Sequence, residues 1–425
     1  MKIKFTFIIF FNLCVFTIVY GQPVLSAQRL EKAGDSLYYA KKYSEASTYY
    51  LKSATIAEFK VKQAELHYNA SCCLSLDNKI DEAIRVLEKA VLLGYDDKKN
   101  LLIDKDLLNL HSNQQWQNIV NSIKEESLNA NPSKAKFITE DVHRFWKAYD
   151  KATADTVNFK AIFKKEYFEK ASKGMSYYMS AKVSSIDYFI KHIQSAPKFY
   201  KSIRTSTLNI DNKKKDFTTS FKKLKNLYPD AKFPNVYFII GAFTSGGTAT
   251  DAGLLIALNQ ASQTKKTPIG ELNFELQTRL SKIKYVPNTV AHELIHFQQR
   301  GMKKDTTTLS YAIQEGMADF IGELISGSTV NEKLMEWTVG KEKKIWENFK
   351  KDIYYNRYSN WIANGNQATP DNLPDQGYWV GYQICKAYYE NANEKNKAIK
   401  EMLNIQDYKK FLVDSKWEEK LSKMK

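Results

Sequence analysis

The sequence predicts an α+β protein that is mostly helical, with paired helices near the start and a larger domain holding a small sheet. Three observations lead there. Two early stretches repeat one helix-pair template, a β-branched and aromatic run interrupts the helical pattern at Asn235, and a helix bearing His292-Glu293-Leu294-Ile295-His296 follows it.

The elements are taken in chain order. Lys2 and Lys4 precede an apolar run from Phe5 to Tyr20, closed by Val19-Tyr20-Gly21 before Gln22. A charged start, an apolar centre and a small residue at the end predict a secretory signal peptide over 1–21 and an exported protein, periplasmic or secreted. An uncleaved anchor is the alternative, but the run falls short of the roughly twenty residues that span a bilayer comfortably. Cys14 raises the question of a lipid anchor. Leu13 stands where lipoprotein processing prefers a small residue, which argues against one.

The segment 22–128 carries the repeats. Gly34-Asp35-Ser36-Leu37-Tyr38, Tyr43-Ser44-Glu45-Ala46 and Lys52-Ser53-Ala54 correspond to Tyr68-Asn69-Ala70, Ile80-Asp81-Glu82-Ala83 and Lys89-Ala90-Val91. The offset from Tyr43 to Ile80 is 37, and small Ala46 and Ala83 let paired helices approach closely. This resembles tetratricopeptide repeats, with three residues beyond the usual period. Two copies fall below the three that make an independent solenoid, so Leu101 to Ile123 is expected to cap the stack, or the array to lean on the next domain. Such repeats present a groove to a protein partner; a purely structural helical cap is the competing reading.

Composition narrows the function classes. The formal charge is +16, or +14 once Lys2 and Lys4 are removed. The excess would favour anionic envelope surfaces or acidic substrates, yet the lysines are scattered over helical faces and form no basic block interleaved with aromatics. Solvated helix surfaces explain them, and no nucleic-acid partner is expected. Cys72, Cys73 and Cys385 are too few and too irregular for a disulfide framework and are read as helix-packing thiols.

Asn129-Ala130-Asn131-Pro132-Ser133 marks the boundary to a second domain over 129–425. Thr139 is placed to cap a helix, with Glu140 and Asp141 in its first turn. Helical patterns continue through Trp146, Phe163, Tyr167 and Tyr188, broken by Gly174 and Pro197; His143 and His192 are given packing or surface roles. Asn235 to Phe243 then reads as a strand, and Gly253 to Leu258 as a second. Thr244-Ser245-Gly246-Gly247-Thr248 between them is expected to be a turn, and no phosphate loop, since it lacks the lysine and the strand-to-helix context.

His292 and His296, four residues apart, stand on one helix face and can grip one metal ion, with Glu293 between them. Zinc is the default metal for such a pair. A third histidine is missing: Gln299 and Met302 occupy the places where an extended pattern needs glycine and histidine, and no histidine follows His296. The remaining ligand must be a carboxylate. Within Ser310 to Ile321, residues Ile313, Met317, Phe320 and Ile321, with Leu324 beyond, recur at helical spacing, and Glu315 and Asp319 share the opposite face. Glu315 is the candidate ligand, and Asp319 the acid that fixes a histidine tautomer from behind. A solvated acidic stripe is the alternative.

Those two motifs resemble the gluzincin metallopeptidases. The resemblance implies a gluzincin-like zinc peptidase domain with His292, His296 and Glu315 as ligands, Glu293 as general base and Asp319 orienting His292. More narrowly, Thr289 to Gln299 followed by Gln314 to Phe320 is similar to a family of predicted zinc-dependent proteases carrying a domain of unknown function, itself similar to lipoproteins tied to gliding motility in some bacteria. The similarity runs from about residue 137 to beyond 390. It implies a sheet edge beside the metal helix, so that one of the two expected strands could receive an extended peptide; an ordinary sheet is the alternative. Tyr378 and Tyr382, on a helix opened by Gln376-Gly377, are candidate oxyanion donors, with aromatic core packing as the competing role. The expected function is a secreted zinc metallopeptidase acting on a peptide or protein substrate. The alternative is a non-catalytic zinc-containing envelope or secretion-assembly protein that binds partners through its helical repeats.

Overall fold

The computed structural model describes residues 26–124, 128–183, 185–369 and 371–423. The expected signal peptide, including Lys2, Lys4 and Cys14, lies outside the described residues. Among the described residues the protein is mostly helical with one four-stranded sheet, an α+β architecture. None of the described helices is long and apolar enough to cross a membrane. The chain forms two compact units: a smaller one of described residues 26–57 with 63–92 and 99–120, and a larger one built chiefly from residue 121 onward.

The smaller unit contains α1 (Ala27–Tyr39), α2 (Tyr43–Ile56), α3 (Lys60–Leu76), α4 (Ile80–Leu92) and α5 (Gln114–Ser122). The Ser26 hydroxyl accepts from the Arg29 amide and caps α1. Two turns are built alike. Lys41 between α1 and α2 and Asn78 between α3 and α4 adopt left-handed backbone, φ 59° and 58°. In each turn the following lysine amide, Lys42 or Lys79, bonds back to Leu37 or Leu74 at 2.9 Å, closing the carbonyls of the preceding helix. The spacing of 37 seen in sequence is thus a repeat of backbone geometry. Ala46 and Ala83 are fully buried, and a Cβ on Gly34 would lie 2.9 Å from the Tyr50 ring, so small residues set how closely α1 and α2 approach. Cys72 and Cys73 on α3 are free and buried, as is Cys385 in the larger unit.

The larger unit is organised on strands β1 (Phe137–Ile138), β2 (Val236–Ile239), β3 (Gly247–Thr250) and β4 (Gly253–Ala257), in the order β1-β2-β4-β3. β1 pairs with β2 and β2 with β4 in parallel; β3 is antiparallel to β4, Gly247 opposite Ile256 and Thr250 opposite Gly253. β2 and β4 are buried at every residue, which is why both read as unbroken apolar runs rather than alternating ones. The two predicted strands are therefore interior, and the edges are β1 and β3; β3 begins with Gly247 and Thr248, the last two residues of the segment expected to be a turn. Gly253 makes the hairpin possible: its φ of 132° suits glycine, and a Cβ there would meet the Asn235 carbonyl oxygen at 2.3 Å.

Helices α6 (Glu140–Ala154), α7 (Lys173–Lys182) and α8 (Lys214–Leu227) also belong to this unit. Gly174 opens α7 against the sheet, where a Cβ would overlap the Tyr237 ring at 2.2 Å. Pro197 starts a helix, filling a position whose amide would be unpaired anyway. Thr139 does precede α6, but its hydroxyl donates to Asp211 Oδ1 instead of capping the helix. Trp146, Phe163 and Tyr167 enter the core, whereas Tyr188 is 42% exposed. His143 faces Asp211 at the surface, and His192 packs at a tilt against Phe243 and stacks on Tyr188.

Candidate metal centre

Three helices build the site: α9 (Val286–Gln298), α10 (Thr308–Ser326) and α11 (Gln376–Asn391). Pro287 sits in the first turn of α9, and Val290, Ala291, Leu294 and Ile295 face the core, fully buried. The 3.6-residue period then turns His292, Glu293 and His296 together toward a cleft. α10 is capped by the Thr307 hydroxyl, which accepts from the Ser310 amide, and ends at Gly327 in left-handed conformation. The helices cross at glycines. A Cβ on Gly322 of α10 would only touch the His292 backbone at 3.4 Å, but one on Gly316 would collide with the Tyr382 amide, and one on Gly381 of α11 would lie 1.7 Å from the Ala312 carbonyl oxygen. Two backbones in such contact fix α11 over α9 and α10.

The ligand atoms converge. His292 Nε2 and His296 Nε2 are 3.0 Å apart, and Glu315 Oε2 lies 3.1 Å from the second and 3.5 Å from the first. Each ring is oriented from behind. Asp319 Oδ1 accepts from His292 Nδ1 at 2.9 Å, and Asn331 donates to Asp319 Oδ2 at 2.6 Å. Gln299 Oε1 accepts from His296 Nδ1 at 2.8 Å, its amide held by donation to the Gln314 carbonyl at 2.8 Å. With both Nδ1 atoms protonated, the Nε2 atoms of neutral rings present lone pairs, so three electron-rich atoms face one another. Such a trio repels unless a cation or protons lie among them.

That spacing fits a metal. Tetrahedral zinc with bonds of about 2.0–2.1 Å sets its ligand atoms about 3.3 Å apart, close to the three distances found. Burial favours a neutral His292 ring, yet the bonds from Asp319 and Glu315 raise its pKa well above the ordinary range. Burial also opposes ionisation of Glu315, but His296 and His292 hold its carboxyl far below the usual carboxylate range. The surrounding carboxylates thus favour a positive charge at the cluster, whether a proton or a metal ion.

Glu293, 7% exposed, lines the same cleft. Burial pushes its carboxyl up, against the pull of His296 and His292. Its position depends on Gly247 of β3, because a Cβ there would fall 2.3 Å from Glu293 Oε1. The cleft, about 450 Å³, runs between the histidines and Gly247, Thr248 and Ala249. Tyr378 also lines it, its ring stacked on His292 with centroids 6.1 Å apart. Burial and the charge of Glu315 keep this phenol protonated. Tyr382 is not brought to the cleft: its hydroxyl donates to Glu323 Oε2 at 2.6 Å and its ring packs edge-on against Phe320. An offset of four residues places it one turn, about 6 Å, further along α11.

Two participants escape sequence reasoning. Gln299 breaks a third-histidine pattern, but its place three positions after His296 suits an orienting bond. Gly247 lay in a glycine-rich stretch with no local sign of its neighbour.

Fold and site together define an α+β protein in which three packed helices and a sheet edge enclose a two-histidine, one-carboxylate cluster. Residues 124–419 match the family model of gliding motility protein GldB, and the chain belongs to that family. No curated protein and no solved structure matches it.

Proposed function

We propose that the chain is an exported zinc-dependent metallopeptidase of gluzincin-like design that hydrolyses peptide bonds in extended substrates. The observation that carries this reading is the convergence of His292, His296 and Glu315 beside an acid, Glu293, in an open cleft bordered by a strand edge. Zinc held by those three side chains would supply Lewis acidity and lower the pKa of a water to about 7. An extended peptide laid along β3 gains main-chain hydrogen bonds from the strand's outer edge, which binds many sequences in one orientation. Glu293 accepts the proton of the attacking water and delivers it to the departing amine. Tyr378 donates its hydroxyl proton in a hydrogen bond to the carbonyl oxygen as negative charge develops there.

Export is supported by the basic start and apolar run before Gln22, and an envelope setting by the motility function that the family's name states. The N-terminal helices are read as a tetratricopeptide-like module for a protein partner, supported by the twin turns at Lys41 and Asn78. The second reading, a zinc-containing envelope protein without catalysis, draws on the same family name, which states motility and no chemistry.

A digest of an unstructured peptide library separates the two readings. The peptidase reading expects cleavage by the wild type that a chelator abolishes, and none by Glu293→Gln although that variant retains zinc. Cleavage persisting in Glu293→Gln would refute the assigned base, and no cleavage by zinc-loaded wild type would favour the binding protein.

A further inference from the structure

The cleft holds two cations of different standing. Arg300 is committed to the fold: it pairs with Asp251 at 2.8 Å and lies over the Phe297 ring, 4.1 Å from its centroid. Lys182, the last residue of α7, lines the same cleft, partly buried, and among the described residues no ion pair or hydrogen bond holds its ammonium. The carboxylates nearby are otherwise engaged, Glu315 with the two imidazoles and Glu293 packed beneath Gly247. A peptide filling the cleft would strip water from Lys182. An ammonium desolvated without a partner is penalised, whereas one that meets a carboxylate gains a charge-assisted hydrogen bond.

We propose that Lys182 selects peptides carrying a carboxylate close to the scissile bond, supplied either by an acidic side chain or by the peptide's own C terminus. The inference rests on the peptidase reading for its substrate and deepens it. Lys182 touches substrate in this account; the rival role is to act through Glu293, whose ionisation its charge favours.

Three fluorophore-labelled probes test it: a glutamine-alanine peptide with an amidated C terminus, the same peptide as the free acid, and its glutamate-for-glutamine form with the amide. Binding is measured by anisotropy on zinc-loaded Glu293→Gln, alone and combined with Lys182→Met or Lys182→Arg. At least one carboxylate form is expected to bind about tenfold more tightly than the neutral peptide, and which form does so identifies the source. Lys182→Met should erase the difference and Lys182→Arg should keep most of it. Equal binding of all three probes, or a preference that survives Lys182→Met, overturns the proposal. Wild type and Lys182→Met are then compared for cleavage of the same peptides. A loss of kcat that is equal for all three, with a shifted acid limb of the pH profile, also overturns it by placing the effect on Glu293. Cleavage without carboxylate preference sinks the inference and leaves the peptidase reading standing; carboxylate-selective, Lys182-dependent binding without cleavage supports the site and sinks that reading.

Discussion

Changing Asp319 to asparagine separates the orientation of a ligand from the ligand itself. Asp319 is 1% exposed and accepts twice, from His292 Nδ1 at 2.9 Å and from Asn331 Nδ2 at 2.6 Å. Asparagine has one acceptor oxygen. If that oxygen stays toward His292, its NH2 group confronts the Asn331 NH2, and one buried donor goes unpaired; if it turns, His292 loses its partner and is free to rotate or change tautomer. An unpaired buried donor costs about 1–3 kcal/mol, and the lost negative charge weakens the bond to the ring. Removing the acid behind a metal-bound histidine lowers metal affinity about 10–100-fold, or about 1.4–2.7 kcal/mol. Competition with a chromophoric zinc chelator at fixed pH measures this, and urea unfolding of the metal-free proteins measures the stability loss. Zinc affinity within about threefold of wild type, in a variant that is folded, would refute the role given to Asp319.

Three other substitutions probe separate parts of the site. Gly247→Ala inserts a Cβ 2.3 Å from Glu293 Oε1, so kcat for peptide cleavage should fall about 100-fold while zinc is retained; unchanged kinetics would show that Glu293 is not held by β3. Tyr378→Phe should lower kcat about 100-fold or more, whereas Tyr382→Phe should leave turnover intact and reduce unfolding stability by about 1 kcal/mol through the lost bond to Glu323; the reverse pattern in steady-state kinetics would exchange their roles. Gly381→Ala places a Cβ 1.7 Å from the Ala312 carbonyl oxygen, forcing α10 and α11 apart at a cost of more than about 3 kcal/mol; a thermal midpoint equal to that of wild type would contradict the packing described.

Local periodicity made the helices of the candidate site legible. His292 and His296 share a face by spacing alone, as do Glu315 and Asp319, and the apolar residues between them mark the opposite face without knowledge of the fold. The continuous apolar runs of β2 and β4 were legible for a similar reason. β3 was not: Gly247 and Ala249 offset the strand preference of Thr248 and Thr250, and its extended form comes from pairing with β4, a tertiary cause. Gln299 acts behind His296 through its amide and ligates nothing, so no ligand pattern marks it. The contact of Gly381 with Ala312 joins segments far apart in sequence, and that crossing decides which tyrosine of α11 reaches the histidines. Helical spacing could place Tyr378 and Tyr382 on one side of a helix, but not say where along it the cleft would lie.

The measurement closest to the central claim is anomalous diffraction at the zinc absorption edge from crystals of the zinc-loaded protein. The account predicts one ion, about 2.0–2.2 Å from His292 Nε2, His296 Nε2 and a Glu315 carboxylate oxygen. An ion bound elsewhere, or bound by the histidines with Glu315 turned away, would contradict it.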